Sequence, residues 1–261
     1  MQTQTIQRSR SKAIRWFGYP DIHFPDHDEE ALTVAEAAQR EFKPDNVIVG
    51  NDMFNATPFS RWGKKTIQEA VAVDFLETEI KPANAFVDRV QQYTDYTYFQ
   101  FGNHDAHIER WAANNSPAGV SIFSLISIET NLGKRGNFQF IPAGQAIILH
   151  KNLICVHGWS YSIHCASVHR RKSPLQSVIF NHAHRMQSDT LTYPASEMPT
   201  TAMCAGCLCK RQPMYKHDGN PTGWTHGFWV AYVGRKDFTM YSIIINKGRA
   251  ILPNGKEVKI V

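Results

Sequence analysis

Five times along this chain a short, largely apolar run gives way directly to aspartate, asparagine and histidine. The clusters are Asp21-x-His23, Asp52-x-x-Asn55, Asn103-His104-Asp105, His157-Gly158 and His182-x-His184. Short apolar runs closed by polar residues read as buried strands, here residues 13–19, 46–50, 96–101, 153–156 and 177–180. Between the first two, residues 28–43 place Ala31, Leu32, Ala35, Ala38 and Phe42 at helical spacing, and Pro44 stops the helix. Strand, helix, strand is the unit of parallel sheets covered by helices. In such open sheets the carboxyl ends of the strands share one edge, so the five clusters are expected to converge there.

The rhythm continues with a helical region over 66–93, interrupted near Pro82, and another around 120–132. Further strands are expected at 138–141 and 146–150. From 225 to 261 the chain alternates in β fashion, with Asn254-Gly255 as a turn. No repeat, low-complexity tract or linker divides it. The expected organisation is a flexible tail over 1–11 and a single domain over 12–261 with a β-rich C-terminal layer.

Imidazole and carboxylate donors in this mixture suit first-row ions such as manganese, iron or zinc, and an asparagine oxygen completes a site without adding charge. Two ions side by side need a bridging carboxylate to offset their repulsion, and Asp52 is the natural bridge.

The order of these blocks resembles the calcineurin-like metallophosphoesterase superfamily, whose pattern is Asp-x-His, Gly-Asp-x-x-Asp/Asn, Gly-Asn-His-Asp/Glu, a lone His and Gly-His-x-His. The resemblance covers Asp21 to His184. It implies an α/β fold, a four-layered sandwich of two mixed β-sheets flanked by helices. It also implies two divalent metal ions, manganese first with iron or zinc as alternatives. Asp21, His23, Asp52 and His184 would hold one ion; Asp52, Asn103, His157 and His182 would hold the other. His104 would be the catalytic histidine beside the substrate, with Asn55 and Asp105 assisting the catalytic site.

Three departures from the pattern bear on the reading. Gly50-Asn51-Asp52 shifts the usual glycine by one residue; Asp52 is chosen because bridging requires a carboxylate. Asn181 replaces the glycine before the last His-x-His, and asparagine also tolerates positive φ. Asn55 is followed by Ala56 where the protein Ser/Thr phosphatases carry an aspartate followed by a phosphate-clamping arginine. Together with the ending of the Asn103-His104-Asp105 block in aspartate, this resembles the nuclease and phosphodiesterase branches.

The expected activity is therefore a metal-dependent phosphodiesterase acting on nucleic acid or nucleotides. The alternatives are a phosphomonoesterase for small phosphorylated metabolites or phosphoproteins, and a non-catalytic metal-binding scaffold. A net charge of +5 suits a polyanionic substrate. His169-Arg170-Arg171-Lys172 and Arg61-Trp62-Gly63-Lys64-Lys65 could each track a phosphate backbone or be solvated helix faces. Arg170, Arg171 and His164 are the candidate substrate contacts, His164 being otherwise a helix-surface residue.

His27, His107, His150, His169, His217 and His226 read as structural. Cys204-x-x-Cys207-x-Cys209 lacks a second pair at finger spacing and reads as small buried thiols rather than a zinc knuckle. The stretch 206–209, with Trp224 and Gly227, resembles the tails of phage-encoded members of the superfamily. The five cysteines, in a chain of 261 residues with no long apolar run, fit reduced thiols, the cytoplasm and no membrane partner.

Overall fold

The computed structural model describes residues 12–60, 69–114, 123–192, 198–212 and 222–260. The expected tail over 1–11, the basic patch at Arg61 to Lys65, the ends of two expected helices at 66–68 and 120–122, and His217 lie outside the described residues.

Strands β1 (Ile14–Gly18), β2 (Asn46–Gly50), β3 (Tyr96–Gln100) and β4 (Phe138–Ile141) pair in parallel. Strand β10 (Gly227–Val233) adds antiparallel to β1, and β11 (Phe238–Ile244) to β10, giving a six-stranded sheet in the order β11-β10-β1-β2-β3-β4. The second sheet comprises β5 (Ile147–His150), β6 (Leu153–Val156), β7 (Ser177–Phe180), β8 (Met186–Leu191) and β9 (Thr200–Ala205), in the order β5-β6-β7-β9-β8. Strands β12 (Arg249–Ile251) and β13 (Glu257–Lys259) form a separate hairpin.

Successive side chains of a strand point to opposite faces, and the sequence uses this to fill three apolar layers. Phe17, Val47, Val49, Phe99, Phe228 and Val230 face the first layer, under α1 (Glu29–Phe42), α2 (Glu69–Phe75) and α3 (Lys81–Gln91). Their neighbours Trp16, Ile48, Tyr98, Trp229 and Ala231 face the other way, against Leu153, Cys155, Ile179 and Met203 of the second sheet. Ile154, Val156, Val178, Phe180, Ala202 and Cys204 then meet the third helical segment of interest, which follows α4 (His107–Asn114) and α5 (Ile128–Leu132) and is α6 (Cys165–Lys172). Helix, sheet, sheet, helix is the four-layered sandwich expected from sequence.

Two features differ from expectation. The β-rich C-terminal segment is no separate layer, because β10 and β11 complete the first sheet. The helical region is not broken at Pro82: a π-helical turn over Leu76–Ile80 runs straight into α3, where Pro82 occupies the first turn. Proline is tolerated there because the wider turn before it relieves the clash between the ring and the carbonyl one turn back.

Candidate metal centre

The loops after β1, β2, β3, β6 and β7 carry the five sequence clusters. Asp21, His23, Asn51, Asp52, His182 and His184 all have left-handed backbones, with φ between 44° and 70°. Such conformations cost on the order of 1–3 kcal/mol each and persist only where the surroundings fix them. Here the loops brace one another. Asp21 N–H donates to the Asn51 carbonyl at 3.2 Å, His23 N–H to the Asp52 carbonyl at 3.0 Å, and Asn51 N–H to the Gln100 carbonyl at 2.6 Å. Gly102 is required for the close approach, since a Cβ there would overlap the Asp52 side chain and amide. Asn181 is not left-handed; the turn strain sits in His182 and His184 instead.

Two donor clusters result, both largely buried. In one, His184 Nε2 lies 3.2 Å from Asp21 Oδ1 and 3.3 Å from His23 Nε2. In the other, His157 Nε2 lies 2.9 Å from Asn103 Oδ1, 3.2 Å from His182 Nδ1 and 3.2 Å from Asp52 Oδ2. The same Asp52 oxygen is 4.0 Å from His23 Nε2, so this carboxylate stands between the clusters. Asp52, rather than Asn51, presents the acidic oxygen.

These spacings fit cations. Ligands about 2.1 Å from a metal sit roughly 3 to 3.4 Å from one another, the separation found among these donors. Facing imidazole nitrogens such as His23 Nε2 and His184 Nε2 share at most one proton, and a cation would satisfy both lone pairs.

Charge balance without a cation points the same way. Burial and the neighbouring His184 hold His23 well below the ordinary histidine pKa. Burial would also lower His184, yet Asp21 outweighs it and carries the pKa up to about 9. For His157 burial is likewise outweighed, by Asp52, and the pKa rises. Burial alone would raise Asp52, but His157 and His104 hold it well below the usual carboxylate range. Imidazolium protons thus offset the buried acids, the positions that bound cations would take.

His104 lies beside this centre, its ring 4.9 Å from that of His23. Its Nδ1–H donates to the Asn55 carbonyl at 2.9 Å, which leaves Nε2 as the working nitrogen. The Asn55 side chain does something different from assisting His104. Its Oδ1 accepts from His23 Nδ1 at 3.2 Å and its amide donates to Asp26 at 2.8 Å, a relay that fixes the His23 imidazole. Asp105 is fully buried and orients no imidazole: its carboxylate takes the backbone N–H groups of Gly102, Asp52 and Phe54 at 2.9 to 3.1 Å. Burial first, then Asp52, lifts its pKa to about 7. It is a clamp joining the loops after β2 and β3.

The expected substrate contacts are placed differently. Arg170 is held by Asp189 at 2.7 Å, on the α6–β8 side, and Arg171 donates to Ser167 within the helix. His164 caps the start of α6 without a capping hydrogen bond from its side chain. None of the three lines the cleft of about 430 Å³ that opens beside Asn103, His157 and His182; Arg110, Trp159 and Tyr161 do. Arg110 lies between the chemistry-bearing runs, on a helix that sequence periodicity did not single out. His169 is structural: buried, stacked on Phe180 at 3.7 Å and on Trp159 at 5.2 Å, with burial lowering its pKa to about 4. His226 and His27 bond to the Cys209 carbonyl and to Glu29.

The layer order is that of a metallophosphoesterase-type α/β sandwich fold. No protein-family model and no curated protein matches the sequence. Among solved structures the chain is similar to Vacuolar Protein Sorting 29 from Cryptosporidium parvum. The TM-score is 0.50 and the identity 12%, over 95% of this chain and 100% of that one. For Vps29 from Chaetomium thermophilum the TM-score is 0.47 and the identity 11%, over 95% of this chain and 97% of that one. At such identities the likeness concerns the fold. Among the described residues, no helix is long and apolar enough to cross a membrane.

Proposed function

We propose that this chain is a dinuclear-metal phosphodiesterase acting on nucleic acid or nucleotides. The observation that carries the reading is Asp52 standing between two nitrogen-rich donor clusters, with His104 alongside. Asp21, His23, Asp52 and His184 would hold one divalent ion; Asp52, Asn103, His157 and His182 the other. Bound there, such ions supply positive charge for phosphoryl oxygens and a water of lowered pKa.

The chain's own groups do the rest. The relay Asp26–Asn55–His23 and the Asp105 clamp keep the donors in place. His104 Nε2, with Nδ1–H committed to the Asn55 carbonyl, is free to give a proton to the departing oxygen. Substrate class rests on the cleft. Arg110 and Tyr161 are exposed and Trp159 is 37% exposed, so a phosphate meets a cation and bases meet aromatic faces. Base stacking of this kind contributes about 1–3 kcal/mol per base.

The test is a manganese-supplemented panel of labelled DNA, bis-p-nitrophenyl phosphate and p-nitrophenyl phosphate. Faster turnover of the diesters is expected. Activity confined to the monoester would favour the metabolite reading, and metal binding without hydrolysis the scaffold reading. His104→Ala should lower kcat by about 10²- to 10⁴-fold with unchanged metal stoichiometry. A loss no larger than that of Lys236→Ala, on the exposed β10–β11 turn, would remove His104 from the mechanism.

A further inference from the structure

Behind His184, on the side away from Asp21, two further donors converge. Residues 207–209 form a bend at Leu208, with Cys207 bridged to His226 and Cys209 to His27. Leu208 packs in the apolar core, and both thiols gather beside His184. Cys209 Sγ lies 3.7 Å from His184 Nδ1, and Cys207 Sγ, Cys209 Sγ and the His184 nitrogen all lie within 4.8 Å of one another. All three residues are buried.

We propose that Cys207, Cys209 and His184 Nδ1 form a third metal site, for a thiophilic d¹⁰ cation of the zinc or copper(I) class. Tetrahedral or trigonal coordination at about 2.3 Å to sulfur and 2.0 Å to nitrogen places sulfur and nitrogen roughly 3.6 Å or slightly less apart, close to the observed separation. Two soft sulfur donors and one imidazole select such an ion over manganese or magnesium. The neighbouring clusters carry no sulfur donor, and their carboxylate and amide oxygens also accept manganese. Binding releases the two thiol protons and the Nδ1 proton, so that His184 joins the third site to the Asp21–His23 cluster through one imidazole ring. Trp224 packs on that ring, with centroids 4.1 Å apart, and lines a surface pocket with Asp28 and Lys210.

The site does not require phosphodiesterase activity, and its test separates the two. The reduced full-length chain is saturated with manganese and titrated with cadmium, a spectroscopic substitute for zinc. One equivalent of cadmium should produce a thiolate-to-metal charge-transfer band in the ultraviolet. That band should vanish in Cys207→Ala and in Cys209→Ala, and persist in Cys204→Ala and in Asp52→Asn. On the unmutated chain, cadmium should slow alkylation of Cys207 and Cys209 at least tenfold, read by mass spectrometry of the peptide containing both. This second readout decides the matter even if an alanine variant fails to fold. Absence of the band, its survival in both single variants, or protection of other cysteines instead would overturn the assignment.

Discussion

At the scale of single residues, the groups that organise the site are less visible than those that compose it. Asp105 shows this. Its carboxylate accepts three backbone N–H groups from the loops after β2 and β3. Leaving a buried donor unsatisfied costs about 1–3 kcal/mol. Asp105→Ala should therefore destabilise the metal-free chain by at least about 2 kcal/mol in urea titrations, and weaken manganese binding by roughly 10- to 100-fold in calorimetry. Unchanged affinity would mean that the Asp52 loop holds its shape unaided. The donor residues that converge there were legible because strand ends restrict their place. Asp26, Cys209 and the true role of Asn55 were not, since outer partners can come from any side chain that geometry brings near.

Among the elements, those with an unbroken apolar core were readable and those defined by their neighbours were not. Strands β1, β2, β3, β6 and β7 are short apolar runs buried on both faces. Strand β8, with the sequence MQSDTL, is a half-exposed edge, and β9 begins with two threonines; only pairing between them and with β7 makes them strands. The π-helical turn before α3 carries a second lesson. It delivers Glu79 into the interior, where the carboxylate accepts the Ala56 N–H at 2.9 Å beneath the loop that bears Asn55. Burial lifts the Glu79 pKa from 4.5 to about 8. Between those values the folded chain retains a proton that the unfolded chain has lost, so stability falls as pH rises through the window, by up to about 1.4 kcal/mol per pH unit. Glu79→Gln keeps an acceptor for Ala56 and removes the titration. Denaturation midpoints across pH 5 to 8.5 should decline less steeply in the variant than in the natural chain; parallel curves would show that Glu79 is ionised throughout.

For the whole molecule, the two sheets place strained loops and buried acids at one edge while the apolar layers lie behind them. Six left-handed residues and the paired Asp–His groups sit at the joint between β1, β2 and β7, which belong to different sheets. His182 N–H donates to both oxygens of Asp21, at 3.0 Å each, tying the sheets together at the donor clusters. Cations bound there would reinforce that joint and favour the folded chain by mass action. At a free concentration one hundred times the dissociation constant, each site contributes about 2.7 kcal/mol. In a chain of this size 1 kcal/mol moves Tm by roughly 2–4 °C, so two sites should raise Tm by about 10 °C or more over the chelator-treated state. Asp52→Asn removes the shared carboxylate and should shrink that difference to less than half without unfolding the metal-free chain. Differential scanning calorimetry with manganese and with chelator measures both quantities. Equal Tm values for the natural chain in the two conditions, with metal at saturating concentration, would show that the loops are held by the protein alone and that the two donor clusters are not cation sites.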